Sequence, residues 1–598
     1  MMASMRRWFA IAVVVAALPV QAAEPLKVLR VAFDQDLTGF DPQAATDSYS
    51  LFVCAAIFDR LLEYDYLKRP YELKPSAAAA LPQVSDGGRT IVLKLRPGIH
   101  FTPDPAFRGK PRELVAADYV YSWKRLIDPR MRSFWSQFLD GKLVGADEVV
   151  AAAKKRGRFD YDAKIEGLQA LDRYTLQVKL KEPDYLLIER MTSTPMGAVA
   201  REVIENYGAP ENGWTMANPV GSGAFRMKEW KRGSKVVLAK NPVYREERFP
   251  VVTDGSLPEA VRAKSGKRIP FVDEVEVSVM EEATPRLLAF SSGQVDYLHV
   301  PYGLVDRVLD NDGALKREFA ARGVRWARIL ETAVTYTYFN MEDPVVGGYA
   351  NDRIALRRAI AMAYDVETEV RVLRKGQAMP ATQIVPPGVL GHDPSKNRRV
   401  VYDRGAAQAL LDKFGYRRNG PDGYRTRPDG TPLLLKLGSP PDSDSREYDE
   451  LWKRSMDAIG IRIEFVKQKW PDLLKMSTAG QLQMFRLARL TTLRDGGGLL
   501  EILYSRGIGD GSNDSRFSLP EYDRLFELSR ALPDGPERNA LYMKLGEIAS
   551  AYMPVMLGTY RYRTVLMQPW LQGFRPDPFF REPWRFMDID VAQREAHR

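Results

Sequence analysis

Apolar and polar residues follow two different periods along this chain, and the two periods alternate from one segment to the next. Residues Val28 to Phe33 alternate strictly, which is typical of a β-strand, whereas the apolar run from Ser50 to Leu62 is long enough to predict a helix. A loop opened by Asp41 and Pro42 separates the two. A strand, a loop and a helix in this order predict an α/β unit.

The same interleaving continues almost to the C-terminus. Further strands are predicted at Thr90–Leu95, Thr175–Leu180, Lys235–Ala239, Val272–Met280 and Leu433–Leu437. Further helices are predicted at Ala116–Leu126, Ile354–Tyr364 and Ala406–Phe414. We therefore expect a globular α/β chain without internal repeats, long enough for two or three domains that each have a substantial core.

The first 22 residues have the features of a secretory signal peptide. Arg6 and Arg7 give a positive start, residues 8–20 are apolar, and Val20-Gln21-Ala22 is a small-residue cleavage site. This apolar run is too short to span a membrane, so the mature protein is expected to be soluble in the periplasm. The paired arginines partly resemble a twin-arginine signal, but nothing indicates a cofactor that must be loaded before export, which favours the general secretion route.

Composition narrows the classes of partner. Cys54 is the single cysteine, so it makes no intramolecular disulfide, and it lies too far past the signal to carry a lipid anchor. The net charge is +10, but the basic residues are spread along the chain and do not form an arm. Together with the export signal, this spread argues against a nucleic-acid partner and is compatible with an acidic ligand.

Familiar catalytic and cofactor motifs are absent from the sequence. There is no GxSxG, GxGxxG, GxxxxGK[ST] or HExxH pattern. The four histidines show no paired spacing suited to zinc; they are His100, His299, His392 and His597. We therefore predict that the protein is not an enzyme and that it has no cofactor and no metal site.

A series of short segments carries a recognisable pattern. The first two are Thr90 to Phe101, which ends in Leu-Arg-Pro-Gly-Ile-His-Phe, and Ala116 to Arg125. The others, in chain order, are residues 218–225 with Glu229-Trp230, then 240–244, 287–296, 357–365, 386–388, 402–416, 553–558 and 569–574. In this order they resemble the bacterial extracellular solute-binding proteins of family 5, the peptide/nickel type with oligopeptide- and dipeptide-binding members, over nearly the whole mature chain.

The resemblance implies an α/β fold of the type II periplasmic binding proteins, with two lobes, an extra subdomain and a two-strand hinge. After a signal peptide at 1–22, lobe I would comprise residues 23–60, 212–300 and 561–598. The extra subdomain of lobe I would comprise residues 61–211, and lobe II residues 301–560. The hinge would lie near residues 300 and 560.

The resemblance also implies a function, that of the substrate-binding component of an ABC importer. Such a protein captures a peptide or peptide-like ligand between its lobes, closes over it, and delivers it to a permease in the inner membrane, in this case as a monomer. An extended peptide would be held by main-chain hydrogen bonds of a strand edge. The candidates for this edge are Thr46, Asp47, Ser48 and Tyr49.

One segment departs from the oligopeptide-binding pattern, in which a Trp and a nearby Asp hold the free amine of the ligand. Arg489 stands in place of that Trp and Thr492 in place of that Asp, with Asp495 as a candidate substitute. Arg486, Arg489 and Arg494 concentrate positive charge here, which favours an anionic or amine-blocked ligand. The alternative is that Arg489 and Arg494 face solvent or pair with acidic residues elsewhere.

Two other functions stay open at this point. One is an exported binding or sensor protein of the same fold for a non-peptide ligand, because family 5 also includes receptors for nickel, haem, sugars and opines. The other is an exported enzyme built on this fold. It requires a reactive constellation that the sequence does not contain, and a turnover assay would separate it from a receptor.

Overall fold

The computed structural model describes residues 25–208, 216–310, 312–418, 423–509, 511–580 and 583–597. The predicted signal peptide at 1–22 lies outside these residues. Within them, no helix has both the length and the apolar character needed to cross a membrane.

Strands and helices alternate from the first described residues to the last. The strands are β1 Val28–Phe33, β2 Leu62–Tyr64, β3 Leu73–Pro75, β4 Gln83–Ser85, β5 Thr90–Lys94, β6 Leu168–Ala170, β7 Thr175–Lys179, β8 Phe225–Lys231, β9 Lys235–Lys240, β10 Glu247–Arg248, β11 Arg268–Ile269, β12 Glu274–Val279, β13 Tyr297–His299, β14 Arg325–Leu330, β15 Ala333–Phe339, β16 Ala378–Pro380, β17 Leu434–Ser439, β18 Arg462–Lys467, β19 Met484–Leu490, β20 Val555–Leu557, β21 Thr559–Met567, β22 Leu571–Gln572 and β23 Asp588–Ile589.

The α-helices are α1 Ser48–Ile57, α2 Ala116–Ile127, α3 Ala146–Arg156, α4 Leu186–Arg190, α5 Arg201–Tyr207, α6 Glu259–Arg262, α7 Ala283–Ser291, α8 Val305–Val308, α9 Arg317–Ala320, α10 Asn351–Ala363, α11 Val366–Thr368, α12 Arg404–Lys413, α13 Ser443–Ala458, α14 Trp470–Thr478, α15 Gly497–Leu500, α16 Pro520–Arg530, α17 Pro536–Tyr552 and α18 Val591–Ala596.

The strands form four sheets of four or five strands, and three of these carry the largest cores. The first sheet has the order β1-β12-β9-β8, the small sheet β4-β5-β7-β6, and the large sheet β18-β17-β19-β15-β20. β1 lies parallel to β12, and β17 lies parallel to both β18 and β19, with α13 and α14 in the connections. Parallel strands joined through helices are typical of α/β folds, so the predicted fold class is confirmed.

The hydrophobic cores divide the molecule into two bodies. The N-terminal body is built on the first and small sheets and includes the C-terminal tail, which contributes Trp570 and Trp584 to the core of the first sheet. The C-terminal body is built on the large sheet, whose two faces carry separate cores. Segments 305–309 and 319–324 pack with Phe290 and Leu298. The predicted lobe and subdomain boundaries stay predictions.

The chain crosses between the bodies at two neighbouring places. β14 ends at Leu330 and continues into β15 of the large sheet at Ala333, and β20 of the large sheet ends at Leu557 and continues into β21 at Thr559. β21 pairs with β16 at its first residues and with β13 and β14 at its last. Two strand connections therefore run side by side between the bodies.

Candidate functional site

A cavity of about 390 Å³, here called the cleft, lies between the two bodies. The N-terminal body contributes one face of α1, segment 190–195 and tail residues 579–580 and 583–586, while the C-terminal body contributes segment 489–493. Aromatic side chains make up much of the wall; they are Phe52, Phe58, Tyr64, Phe134, Trp135, Phe138, Phe225, Phe579, Phe580, Trp584 and Phe586. A largely apolar cavity with few polar groups is the usual form of a small-molecule site.

Helix α1 presents one face to the cleft. Ser48, Leu51, Phe52 and Ala55 line it, and their spacing of three and four residues places them on the same side of the helix. The helix starts at Ser48, two residues before the predicted start, because the Asp47 carboxylate accepts a 2.8 Å hydrogen bond from the Ser50 amide and caps the helix.

This cap corrects the expectation of an extended peptide-binding edge at residues 46–49. Ser48 and Tyr49 are helical, so their amides do not form a strand edge. Thr46 is exposed, and the Tyr49 hydroxyl donates a 2.5 Å hydrogen bond to Asp34. Of the four predicted residues, Ser48 is the one that lines the cleft.

Strand β19 and the residues after it form the opposite wall. The Arg489 Nη2 donates hydrogen bonds of 3.1 and 2.9 Å to the carbonyls of Gly511 and Ser512, and the side chain lines the cleft. Thr492 is exposed and also lines the cleft. With Ser48, three of the predicted ligand-binding residues therefore line the cleft, and Arg489 and Thr492 are the two on this wall.

Arg494 joins the two bodies instead of facing a ligand. Its Nε donates a 2.8 Å hydrogen bond to Glu189, its Nη1 donates one of 2.9 Å to the Tyr71 carbonyl, and its amide donates one of 3.0 Å to the Tyr64 hydroxyl. Burial raises the pKa of Glu189, and the nearby Arg494 guanidinium opposes this rise. The pairing of Arg494 with an acidic residue was the alternative left open by the sequence.

Asp495 lies inside the C-terminal body and is only 1% exposed. Its carboxylate binds Arg538 at 2.7 Å and accepts hydrogen bonds of 2.7 Å from the Tyr542 hydroxyl and 2.8 Å from the Gly497 amide. These partners surround the carboxylate within the body, so Asp495 does not line the cleft, and its role as an anchor for a ligand amine stays a prediction.

Arg486 lines a different cavity, of about 580 Å³, at the carboxyl end of β17. Its guanidinium lies 3.5 Å from the centre of the Tyr448 ring and 3.9 Å from Glu369. Its Nη1 and the indole N–H of Trp452, which lines the same cavity, are buried without hydrogen-bond partners. Arg486 and Arg489 lie three residues apart on one strand and therefore point to opposite faces of the large sheet.

The acidic residues of the cleft are already paired within the protein. Asp59 binds Arg245 at 2.6 Å, and Glu501 binds Arg190 at 3.0 Å across the two bodies. Glu63 binds Arg585 and Lys74. Two further guanidinium groups in the wall, those of Arg60 and Arg489, have no carboxylate within 4 Å among the described residues. The cleft is therefore suited to an anion and offers no unpaired described carboxylate for an ammonium group.

Sequence reasoning missed Arg60, Arg190 and most of the aromatic wall. A signal for Arg60 was present, since Asp59-Arg60 is a charged pair placed directly after the apolar stretch of α1 and before the apolar Leu61-Leu62. The sequence around tail residues 579–580 and 583–586 does not indicate that they line a cleft, because they reach it only when the tail packs on the first sheet.

The Cys54 thiol and the possible metal ligands of the described residues do not meet the needs of a reactive or metal-binding site. Cys54 is buried, and burial raises the pKa of its thiol, which disfavours the reactive thiolate. In the part of the chain that the structure describes, no group of three or more His, Cys, Asp or Glu residues is arranged to hold a metal ion.

Known proteins resemble the chain over most of its length. The probable deoxycholate-binding periplasmic protein YgiS of Escherichia coli is 24% identical over 574 residues, which cover 94% of each protein. The structure of the periplasmic binding protein DppA from Helicobacter pylori in complex with peptide STSA matches with a TM-score of 0.70 at 20% identity, covering 94% of this chain and 98% of that one. The binding protein AgaA of A. tumefaciens R10 in complex with agropinic acid matches with a TM-score of 0.69 at 18% identity, covering 94% and 99%.

A family model decides the classification. The model described as "Bacterial extracellular solute-binding proteins, family 5 Middle" matches residues 72–510, well over half of the chain. The chain therefore belongs to the bacterial extracellular solute-binding proteins of family 5, a family of non-catalytic solute-binding proteins.

Proposed function

We propose that the protein is the periplasmic receptor of an ABC importer and captures a peptide or peptide-like ligand that is anionic or amine-blocked. The observation that carries this proposal is the cleft between two bodies that are joined by two strand connections. A ligand that contacts both walls favours the closed arrangement, and the closed form then docks as a monomer on a permease in the inner membrane.

The charges of the cleft support the anionic or amine-blocked ligand. Burying a ligand ammonium without a counter-charge is costly, and the described carboxylates of the wall, Asp59, Glu63 and Glu501, are occupied by arginines. Arg60 and Arg489 instead offer guanidinium groups, which bind carboxylates strongly.

The cargo of the native protein tests the ligand class. We would purify the protein from the periplasm without denaturing it, release what it carries, and identify the cargo by mass spectrometry. The expected cargo is one or a few acidic or amine-blocked compounds. A ladder of ordinary peptides with free amines would contradict this ligand class and leave a general peptide receptor.

Uptake tests the transport role separately. Deletion of the gene is expected to abolish uptake of the identified cargo, and expression of the wild-type protein is expected to restore it. Unchanged uptake together with a lost cellular response to the cargo would contradict the importer role. It would favour an exported sensor of the same fold.

The aromatic wall supports a second candidate, a receptor for a non-peptide organic anion. Such walls accept rigid apolar bodies as readily as peptide side chains. One relative is named as a probable deoxycholate-binding protein, and one similar structure holds agropinic acid. The mass of the released cargo distinguishes this candidate from a peptide-like one.

A further inference from the structure

Arg60 is an incompletely satisfied cation in the wall of the cleft. It follows α1, and its Nη1 donates a 3.3 Å hydrogen bond to the Thr192 carbonyl. Its Nε is buried without a partner, whereas its Nη2 makes no hydrogen bond and is not enclosed. Burial lowers the pKa of the Arg60 guanidinium, which means that its charge is poorly solvated.

The carboxylates around Arg60 are taken by other cations. Glu63 has the largest electrostatic influence on Arg60, but it is bound by Lys74 at 2.9 Å and by Arg585. The remaining members of this cluster are Asp59 and Glu247, both bound by Arg245, and Glu247 also lies 3.8 Å from Arg585.

The cluster therefore contains one more cation than it has anions. Three carboxylates are shared among Lys74, Arg245 and Arg585, and Arg60 is left over. A half-buried charge without a counter-charge is poorly compensated, and an anion brought by a ligand would satisfy it.

We infer that Arg60 is the specificity-determining residue of the cleft and seats the carboxylate of a ligand whose apolar body packs on the aromatic wall. Ser193 and Thr194 lie at the same wall and add hydroxyl groups for the oxygen atoms of the ligand, whereas the Thr192 hydroxyl donates to the Glu189 carbonyl. This inference rests on the proposed function and names the residue and the ligand group behind the anion preference.

Four dipeptides with one aromatic body and different end charges test the inference. They are N-acetyl-diphenylalanine, which is an anion; its neutral C-terminal amide; diphenylalanine, which is a zwitterion; and diphenylalanine amide, which is a cation. Affinities are measured by isothermal titration calorimetry. The wild-type protein is expected to bind the anion at least about 10-fold more tightly than the neutral amide, because a desolvated charge pair contributes strongly to binding.

Three variants show which residue produces the preference for the anion over the neutral amide. Arg60→Met keeps the aliphatic stem and removes the guanidinium, so the anion and the neutral amide are expected to bind within about threefold of each other. Arg307→Met removes a charge from an exposed position of α8 and is expected to retain the wild-type preference. Arg489→Met removes the other guanidinium of the cleft that has no carboxylate partner among the described residues, and it tests whether that group produces the preference instead.

The thermal midpoint of each free protein separates binding from folding. Arg60→Met is expected to melt at or above the wild-type midpoint, since it removes a poorly solvated charge. An anion preference that persists in Arg60→Met, or that disappears only in Arg489→Met, would overturn the inference. So would a wild-type protein that binds the anion no better than the amide, or not at all.

Failure of the inference and failure of the receptor role give different results. If Arg60→Met restores uptake of the native cargo to a deletion strain as well as the wild type does, the inference fails and the importer role stands. If the wild-type protein itself does not restore uptake, the importer role fails whatever the calorimetry gives.

Discussion

Arg494 of the C-terminal body and Glu189 of the N-terminal body meet between the two bodies, with 2.8 Å between Arg494 Nε and a Glu189 carboxylate oxygen. The Tyr64 hydroxyl donates to the other Glu189 oxygen at 2.8 Å and accepts from the Arg494 amide. Arg190 with Glu501, and Arg530 with Asp184, add two further ion pairs between the same two bodies. These contacts join the two bodies directly, so they stabilise the arrangement in which the cleft is enclosed.

Replacement of Arg494 tests this contribution. Arg494→Met removes the side-chain bonds to Glu189 and Tyr71, and we expect the free protein to shift toward an open form with a larger radius of gyration in small-angle X-ray scattering. Ligand affinity is expected to fall about 5- to 30-fold, the factor that corresponds to a loss of one or two kcal/mol. The control is Arg506→Met, because Arg506 is exposed and pairs with Glu527 inside one body. An unchanged radius of gyration in Arg494→Met would contradict a contribution of these contacts to the closed arrangement.

Asp495 provides a contrasting prediction about stability. Asp495→Ala leaves Arg538 buried without its counter-charge, and we expect it to reduce the free energy of unfolding by about 3–5 kcal/mol. The affinity for diphenylalanine, which has a free amine, is expected to stay unchanged because the carboxylate lies inside the body. The measurements are urea denaturation and calorimetric titration. A selective loss of amine-bearing ligands with unchanged stability would reinstate Asp495 as an amine anchor.

The double variant Asp495→Ala/Arg538→Met is the matched control for that change. Removing both charges of a buried pair is usually far less costly than removing one. We therefore expect it to recover much of the stability lost in Asp495→Ala.

The fold could be predicted from periodicity because buried residues alternate with more exposed ones along β1 and along β5, the strand that begins at Thr90. The start of α1 was also available in the sequence, since Asp47 is a strong capping residue placed before the apolar run. The predicted edge at residues 46–49 conflicts with this local signal, because Asp47 caps a helix that includes Ser48 and Tyr49.

The candidate site was predictable only in part. A strand at Met484–Leu490 places Arg486 and Arg489 on opposite faces by its period of two, so the two residues do not form one positive patch. Arg60 was not predictable as an unpaired cation, because its state depends on Glu63 being bound by Arg585, a residue 522 positions away in the chain. Such a charge balance exists only in the folded molecule.

Lys142 gives a prediction about pH. It lies at the contact of the two bodies with Asp184, Glu501, Arg190 and Arg530, and burial together with the nearby Arg190 lowers the pKa of Lys142 to about 7. An unfolded lysine titrates at about 10.4, so between about pH 7 and 10 the unfolded chain holds a proton that native Lys142 lacks. The native state therefore gains stability from this group as the pH rises through that window.

Lys142→Met is expected to remove this part of the pH dependence. Urea denaturation at pH 6.5 and at pH 9 measures the slope, and the free energy of unfolding of the wild type should rise relative to that of the variant between the two. Lys181→Met is the control, because Lys181 is exposed and bound to Asp147. Equal slopes in the wild type and Lys142→Met would contradict the lowered pKa.

Phe134 tests whether the aromatic wall binds the apolar body of a ligand. Its side chain lines the cleft, is 49% exposed, and lies 4.9 Å from the Trp135 ring. Because the ring is only half buried in the free protein, Phe134→Ala is expected to leave the thermal midpoint unchanged. The affinity for N-acetyl-diphenylalanine should fall about 2- to 10-fold, since an aromatic pair contributes about 0.5–1.5 kcal/mol. The control is Leu81→Ala, because Leu81 is equally exposed but lies outside the cleft, and we expect it to change neither the thermal midpoint nor the affinity. An equal loss of affinity in both variants would exclude a specific role for the aromatic wall.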